Sequence, residues 1–203
     1  MSPGSVLAVM AHPDDAELWA GGTLALHAAA GAKVTVAVRA HDQVRDAEAA
    51  AGASVLGVEL RLLPEMSPDA VATLLTDLRP EVVITHASRD VHPDHRQAGL
   101  AVLDALPHVV IATGHPQRLY ACESYNGLTL DGPTAPHTIV DISATFTRKM
   151  RALTVHRSQP ITEHFGPMAE TLARLHGARI SAAYGEAFTP VPVLGRVPAA
   201  HFL

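Results

Sequence analysis

Residues 5–40 read SVLAVMAHPDDAELWAGGTLALHAAAGAKVTVAVRA, and the order of apolar and polar positions in them decides the fold. SVLAVMA (5–11) is an unbroken apolar run, AELWAGGTLALHAAAG (16–31) has helical character, and KVTVAVRA (33–40) is again strand-like. Unbroken apolar strands belong in a sheet covered on both faces, and parallel strands joined by a helix cross over with right hand. The cycle continues through RDAEAAAGASVLG (45–57), ELRLL (59–63), PDAVATLLTDL (68–78) and EVVITH (81–86). A further helix, DHRQAGLAVLDAL (94–106), is followed by HVVIATG (108–114), which the alternation reads as a strand.

After Gly114 the rhythm breaks. QRLYACES (117–124) and HTIVDIS (137–143) read as later strands, antiparallel at an edge; TFTRKMRALTVH (145–156) and MAETLARLHGARISAAYG (168–185) read as helices. The proline-rich tail FTPVPVLGRVPAAHFL (188–203) is expected to wrap the surface. The expectation is one α/β domain over 1–203: a Rossmann-like three-layer fold with a mostly parallel sheet and helices on both faces.

Composition narrows the function classes. With 48% apolar and 17% charged residues, the chain is globular. A net charge of −5 without a basic stripe argues against a nucleic-acid partner. No run approaches the roughly 20 apolar residues of a membrane span. Met1–Met10 lacks the basic start of a secretory signal, and its apolar run is interrupted at His12. A single cysteine, Cys122, excludes an internal disulfide and fits a reducing cytoplasm, the expected location. Thirteen histidines, against four Phe, three Tyr and one Trp, raise the prospect of metal or proton chemistry if they converge.

In open α/β sheets ligands bind beyond the carboxyl ends of the strands. His12, Asp14 and Asp15 follow the first strand; Arg39, His41 and Asp42 follow the second; HASRDVHPDH (86–95) follows the fourth, which can neighbour the first. In HPDD, His12 and Asp15 are three apart at a strand-to-helix turn, so their side chains can meet at one point. A histidine from HPDH would complete two His and one carboxylate, leaving an open position as in catalytic zinc sites; ferrous iron suits the same donors. The plainer reading is local: Asp14 with Glu17 forms a capping-box pattern, and Pro93 with Asp94 suits a helix start. Two such loops on one rim favour the metal. Gly21–Gly22–Thr23 lies inside the expected helix, away from any phosphate-loop position, and suits close helix packing.

AHPDDAEL.AGGTLA followed by D.HPDHR resembles the LmbE-like, or PIG-L type, metal-dependent N-deacetylases. RDAEAAAGASVLGV is similar to that family's R..E...A...LGV helix, and VDIS.....K..AL..H.SQ and YGEAF to its later landmarks, so the likeness runs from residue 11 to residue 188. The resemblance implies that His12, Asp15 and His95 hold the metal, zinc or ferrous iron. It makes Asp14 the general base on the attacking water. It sets His92 opposite, steadying the tetrahedral intermediate and protonating the leaving amine, with Asp94 orienting a histidine of its own motif. Arg45 matches a substrate-contacting arginine. The implied activity is zinc-dependent removal of an N-acyl group, acetyl first, from a small amino-sugar compound such as an N-acetylglucosaminyl conjugate, with a homo-oligomer allowed.

Only AHDQV (40–44) separates the second strand from Arg45, where many members carry a longer rim loop, so a more open pocket is expected. No tyrosine stands between Tyr125 and Tyr184, where some members place one near the oxyanion, which passes more of that role to His92. Trp19 reads as core packing, and Cys122 as a small core residue. His86 and His156 are expected to make structural hydrogen bonds. Three alternatives stay open: an amidase or natural-product deacylase acting on another amide, a non-catalytic binder of the same fold, and a metal phosphoesterase. The binder is disfavoured because base and ligands are all present, and the phosphoesterase by its common need for two metals.

Overall fold

The structure, a computed structural model, describes residues 4–197. Five parallel strands come first: β1 (Ser5–Met10), β2 (Lys33–Arg39), β3 (Glu59–Leu63), β4 (Val82–Thr85) and β5 (Arg118–Cys122). Between them run the helices α1 (Asp15–Ala29), α2 (Gln43–Leu56), α3 (Pro68–Leu78) and α4 (Pro93–Thr113). A two-stranded ribbon, β6 (Leu128–Thr129) and β7 (Gly132–Pro133), precedes β8 (Thr138–Asp141), α5 (Phe146–Leu153), α6 (Gly166–Arg179) and β9 (Gly185–Val191). The main sheet has seven strands in the order β3-β2-β1-β4-β5-β9-β8, with β9 antiparallel to both of its neighbours.

Period-two alternation along β1 splits the core. Val6, Ala8 and Met10 face α1 and α6, while Leu7 and Val9 face α3 and α4. Each set sits in its own apolar layer, which is why the strand is apolar from Val6 to Met10. No helix among the described residues is long and apolar enough to cross a membrane.

Four readings of the elements are corrected. The run 108–114 is no strand: α4 continues unbroken through Pro107 to Thr113 and ends at Gly114, whose φ is 74°. Val102, Ala105, Leu106 and Val109 keep one side of it buried, and a short apolar run fits a buried helix as well as a strand. The segment 117–124 forms an interior parallel strand rather than an edge. The proline-rich tail begins inside the sheet, since β9 lies between β5 and β8. Pro190 is tolerated because it lies past the last β8 pairing, Thr138 with Phe188. Residues 198–203 of that tail lie outside the described residues. The expected helix over 168–185 starts at Gly166 and ends at Arg179.

Gly22 does serve close packing. A methyl group there would stand 2.7 Å from Ile142 Cδ1. Polar side chains reach into α1 at the same level: Gly22 and Thr23 N–H donate to Glu186 at 2.9 and 2.7 Å. Lys149 Nζ donates to Leu18 O at 2.8 Å and to Glu186 Oε1 at 2.7 Å. Both charged side chains are 3% exposed. Thus the K and E of the late landmarks pin α1 to α5 and β9. Lys149→Met should destabilise the fold by about 3–5 kcal/mol, because it leaves a buried carboxylate uncompensated. Denaturant midpoints within experimental error of wild type would reject this account.

Candidate metal centre

Parallel pairing of β1 with β4, Val9 opposite Thr85, brings the loops after both strands to one rim. Asp15, 2% exposed, is the hub. Its Oδ2 accepts the His12 backbone N–H at 2.7 Å and lies 3.0 Å from His12 Nδ1 and 3.2 Å from His86 Nε2. Its Oδ1 accepts Trp19 Nε1–H at 3.2 Å and lies 3.3 Å from His95 Nε2. Burial raises the Asp15 pKa, but His86, His95 and His12 outweigh it and hold the carboxyl well below the usual range. Trp19 is therefore part of the core and of this cluster.

The capping-box reading fails locally. Asp14 occupies the N-cap of α1 without a side-chain cap bond. Glu17 turns inward, with Oε2 3.6 Å from His156 Nε2, and a methyl group on Gly52 would overlap its carboxylate. His156 also acts on Asp14, whose pKa its charge lowers.

Rings gather around His95. The His12 and His92 rings are centred 5.3 and 4.7 Å from it. His86 stacks on one face at 3.9 Å and 12°, and Tyr125 on the other at 5.6 Å and 13°. Two overlapping groups bring one donor atom from each residue within 4.8 Å of one another: His12, His92 and His95; and Asp15, His86 and His95. His86 is the weaker candidate. Its Nε2 already accepts Ala11 N–H at 3.2 Å, and its Nδ1 faces Cys122 Sγ at 3.8 Å.

The donor set fits a divalent cation. Both ring nitrogens of His95 are buried and, among the described residues, make no hydrogen bond of good geometry. Buried polar atoms are normally paired, and imidazoles with a carboxylate are the ligands that zinc and ferrous iron take.

Beside this cluster, Asp14 is 6% exposed, and its Oδ1 accepts Arg45 Nη2–H at 2.8 Å. Burial and the Asp15 charge raise its pKa against the pull of Arg45. His92 Nδ1 accepts Asp94 N–H at 3.2 Å, which leaves Nε2 as the donor of the neutral ring. Burial and the charges of His95 and His12 lower its pKa, so the resting His92 is neutral. Asp94 Oδ2 lies 3.1 Å from His12 Nε2, across the rim, rather than against a histidine of its own segment. Beside the 40–44 connection lies an open groove of about 670 Å³, lined by His41, Asp42, Arg45, Ser158 and Gln159 among others.

Two site residues escaped the sequence reading. Tyr125 meets Trp19 edge-on at 5.2 Å as well as stacking on His95, and burial beside Asp15 and Asp14 pushes its pKa up. Its position just past β5 was the available signal. Asp90 is wholly buried, with Oδ1 3.3 Å from His95 Nδ1.

Burial lowers the His95 pKa, but the facing carboxylates Asp15 and Asp90 raise it to about 10 overall. The metal-free protein therefore carries a proton there that a cation must expel. Metal affinity should rise up to about tenfold per pH unit from pH 7 to 9, while metal-free stability, fully present below about 6.5, falls toward pH 10. Chelator competition across that range tests this, and a flat affinity rejects it.

A family model described as "PIG-L: GlcNAc-PI de-N-acetylase" matches residues 7–106. The chain is 26% identical over 185 residues to the "Probable N-acetyl-alpha-D-glucosaminyl L-malate deacetylase 2" of Bacillus cereus, covering 76% of this chain and 83% of the relative. It is 26% identical over 235 residues to the diacetylchitobiose deacetylase of Thermococcus kodakarensis, covering 98% and 88%. Among solved structures, the 4-carboxy-2-hydroxymuconate hydratase GalB of Pseudomonas putida KT2440 superposes with a TM-score of 0.81 at 21% identity, covering 98% of both chains. That likeness shows a shared fold.

Proposed function

The chain belongs to the PIG-L, or LmbE-like, family, and from that membership we propose that it is a metal-dependent hydrolase removing an N-acyl group, acetyl first, from an amino-sugar compound. The observation that carries the reading is the position of Asp14: a buried carboxyl of raised pKa beside the His/Asp cluster, held by Arg45.

A cation held by His12, Asp15 and His95, zinc first and ferrous iron second, would lower the pKa of water from about 15.7 to about 7 and polarise the amide carbonyl. Asp14 takes the proton from the attacking water. Arg45 orients Asp14 and closes the inner end of the polar groove, where sugar hydroxyls would lie. Neutral His92 can already donate from Nε2 to the developing oxyanion without first being protonated. The proton that Asp14 takes from the water is the one the leaving nitrogen receives, so the amine leaves neutral and Asp14 returns to its carboxylate, while His92, its Nδ1 occupied by Asp94 N–H, keeps its own proton for the oxyanion. Tyr125 walls the site opposite His86.

The GalB superposition favours keeping a second reading, addition of water to an unsaturated acid, which would use the same base and need no leaving amine. Metal-reconstituted protein given N-acetylated amino sugars, other acylated amines and unsaturated acids separates the readings. Free amine from the amino sugars supports the proposal. Amine only from other substrates moves it to a different amide, and turnover of the unsaturated acids alone overturns it.

A further inference from the structure

Asp90 carries a buried charge that the proposed chemistry does not use. It is 0% exposed, and its only ion-pair partner among the described residues is His95. Isolated carboxylates are costly to bury, so a wholly buried one marks a specific partner.

Its geometry ties three parts of the rim. Oδ1 accepts His92 N–H at 2.7 Å and lies 3.3 Å from His95 Nδ1. Its backbone pairs with Thr129 of the β6–β7 ribbon, and its carbonyl accepts Arg96 Nη1–H at 2.8 Å. The Asp90 backbone is thus clamped from both sides while its carboxylate points at the far nitrogen of His95. The near nitrogen, Nε2, faces Asp15 Oδ1 at 3.3 Å.

We propose that Asp90 is a positioning residue for the metal centre: it keeps the proton of His95 on Nδ1 and so presents the Nε2 lone pair, beside Asp15, to the cation. The inference rests on the metal reading above. A carboxylate behind a ligating histidine fixes its tautomer and raises its basicity, and loss of such a partner costs about 10–100-fold in metal affinity. Asp94 stands in the same relation to His12, 3.1 Å from Nε2, but its side chain is 44% exposed, so water can replace it.

The test uses the full chain, zinc and a competing chelator. Asp90→Asn keeps the shape and an acceptor for His92 N–H but removes the charge. It should bind zinc about 10–100-fold more weakly while keeping a cooperative unfolding transition. Nitrogen-15 spectra of histidine-labelled, zinc-loaded wild type should show the His95 proton on Nδ1, a readout that a merely structural role would not set and that needs no variant to fold. A proton on Nε2, or wild-type zinc affinity in Asp90→Asn, overturns the inference. If wild type itself binds no zinc, the metal reading fails and this inference fails with it. Wild-type binding with an unaffected variant sinks the Asp90 role alone.

Discussion

Replacing Asp14 with alanine should lower turnover by about 10²–10⁴-fold, the usual contribution of general-base catalysis, and leave metal content at the wild-type level. The two halves of this result come from different oxygen environments. Asp15 has both oxygens facing His12, His86, His95 and Trp19, whereas Asp14 points to Arg45. Removing Asp14 therefore takes away a proton acceptor without a proposed ligand. Asp14→Asn separates charge from shape, since it keeps an oxygen for Arg45 but cannot take a proton, and should be as slow as alanine. Turnover measured beside elemental analysis decides it. A variant within threefold of wild type would remove Asp14 from the base role, and a metal-free variant would make it a ligand.

Replacing His95 with alanine should abolish stoichiometric metal binding and also weaken the fold. His95 belongs to both candidate donor groups, so among the described residues no alternative triad is left intact. It also separates two buried carboxylates, Asp15 at 2% and Asp90 at 0% exposure. Deleting the cation between them costs about 3–5 kcal/mol, as for other broken buried pairs. His95→Gln fills most of the volume and keeps a donor, so it should recover part of the stability but not the metal. Full occupancy in either variant would break the proposed set of His12, Asp15 and His95.

Legibility in the sequence followed the length of the signal. The ranges 59–63 and 68–78 coincide with β3 and α3, because strong alternation and a Ser-Pro start leave few other conformations. The sequence allows β1 and β4 to be neighbours, and their pairing gives the shared rim. HVVIATG misled because its residues suit either element, and only packing of Val109 against the sheet settles it. The tail misled because its prolines hide a strand whose partner lies nearly seventy positions upstream, Cys122 opposite Phe188. Within the site, HPDD and HPDH announced themselves by composition. Asp90 and Tyr125 did not, since what singles them out is contact with His95, and sequence carries no record of contact. Glu17 illustrates the converse: its spacing from Asp14 suits a cap, but three-dimensional proximity to His156 claims it instead.

The parallel stack of His86, His95 and Tyr125 has a mechanical consequence. A ring held between two plates can pivot in its own plane but cannot turn over. His95 is thus a hinge with one axis, and exchanging its two nitrogens would require the plates to part. At the proposed set of ligands an arriving ion would meet a donor whose direction is set before it binds, leaving little ordering to be done at that moment.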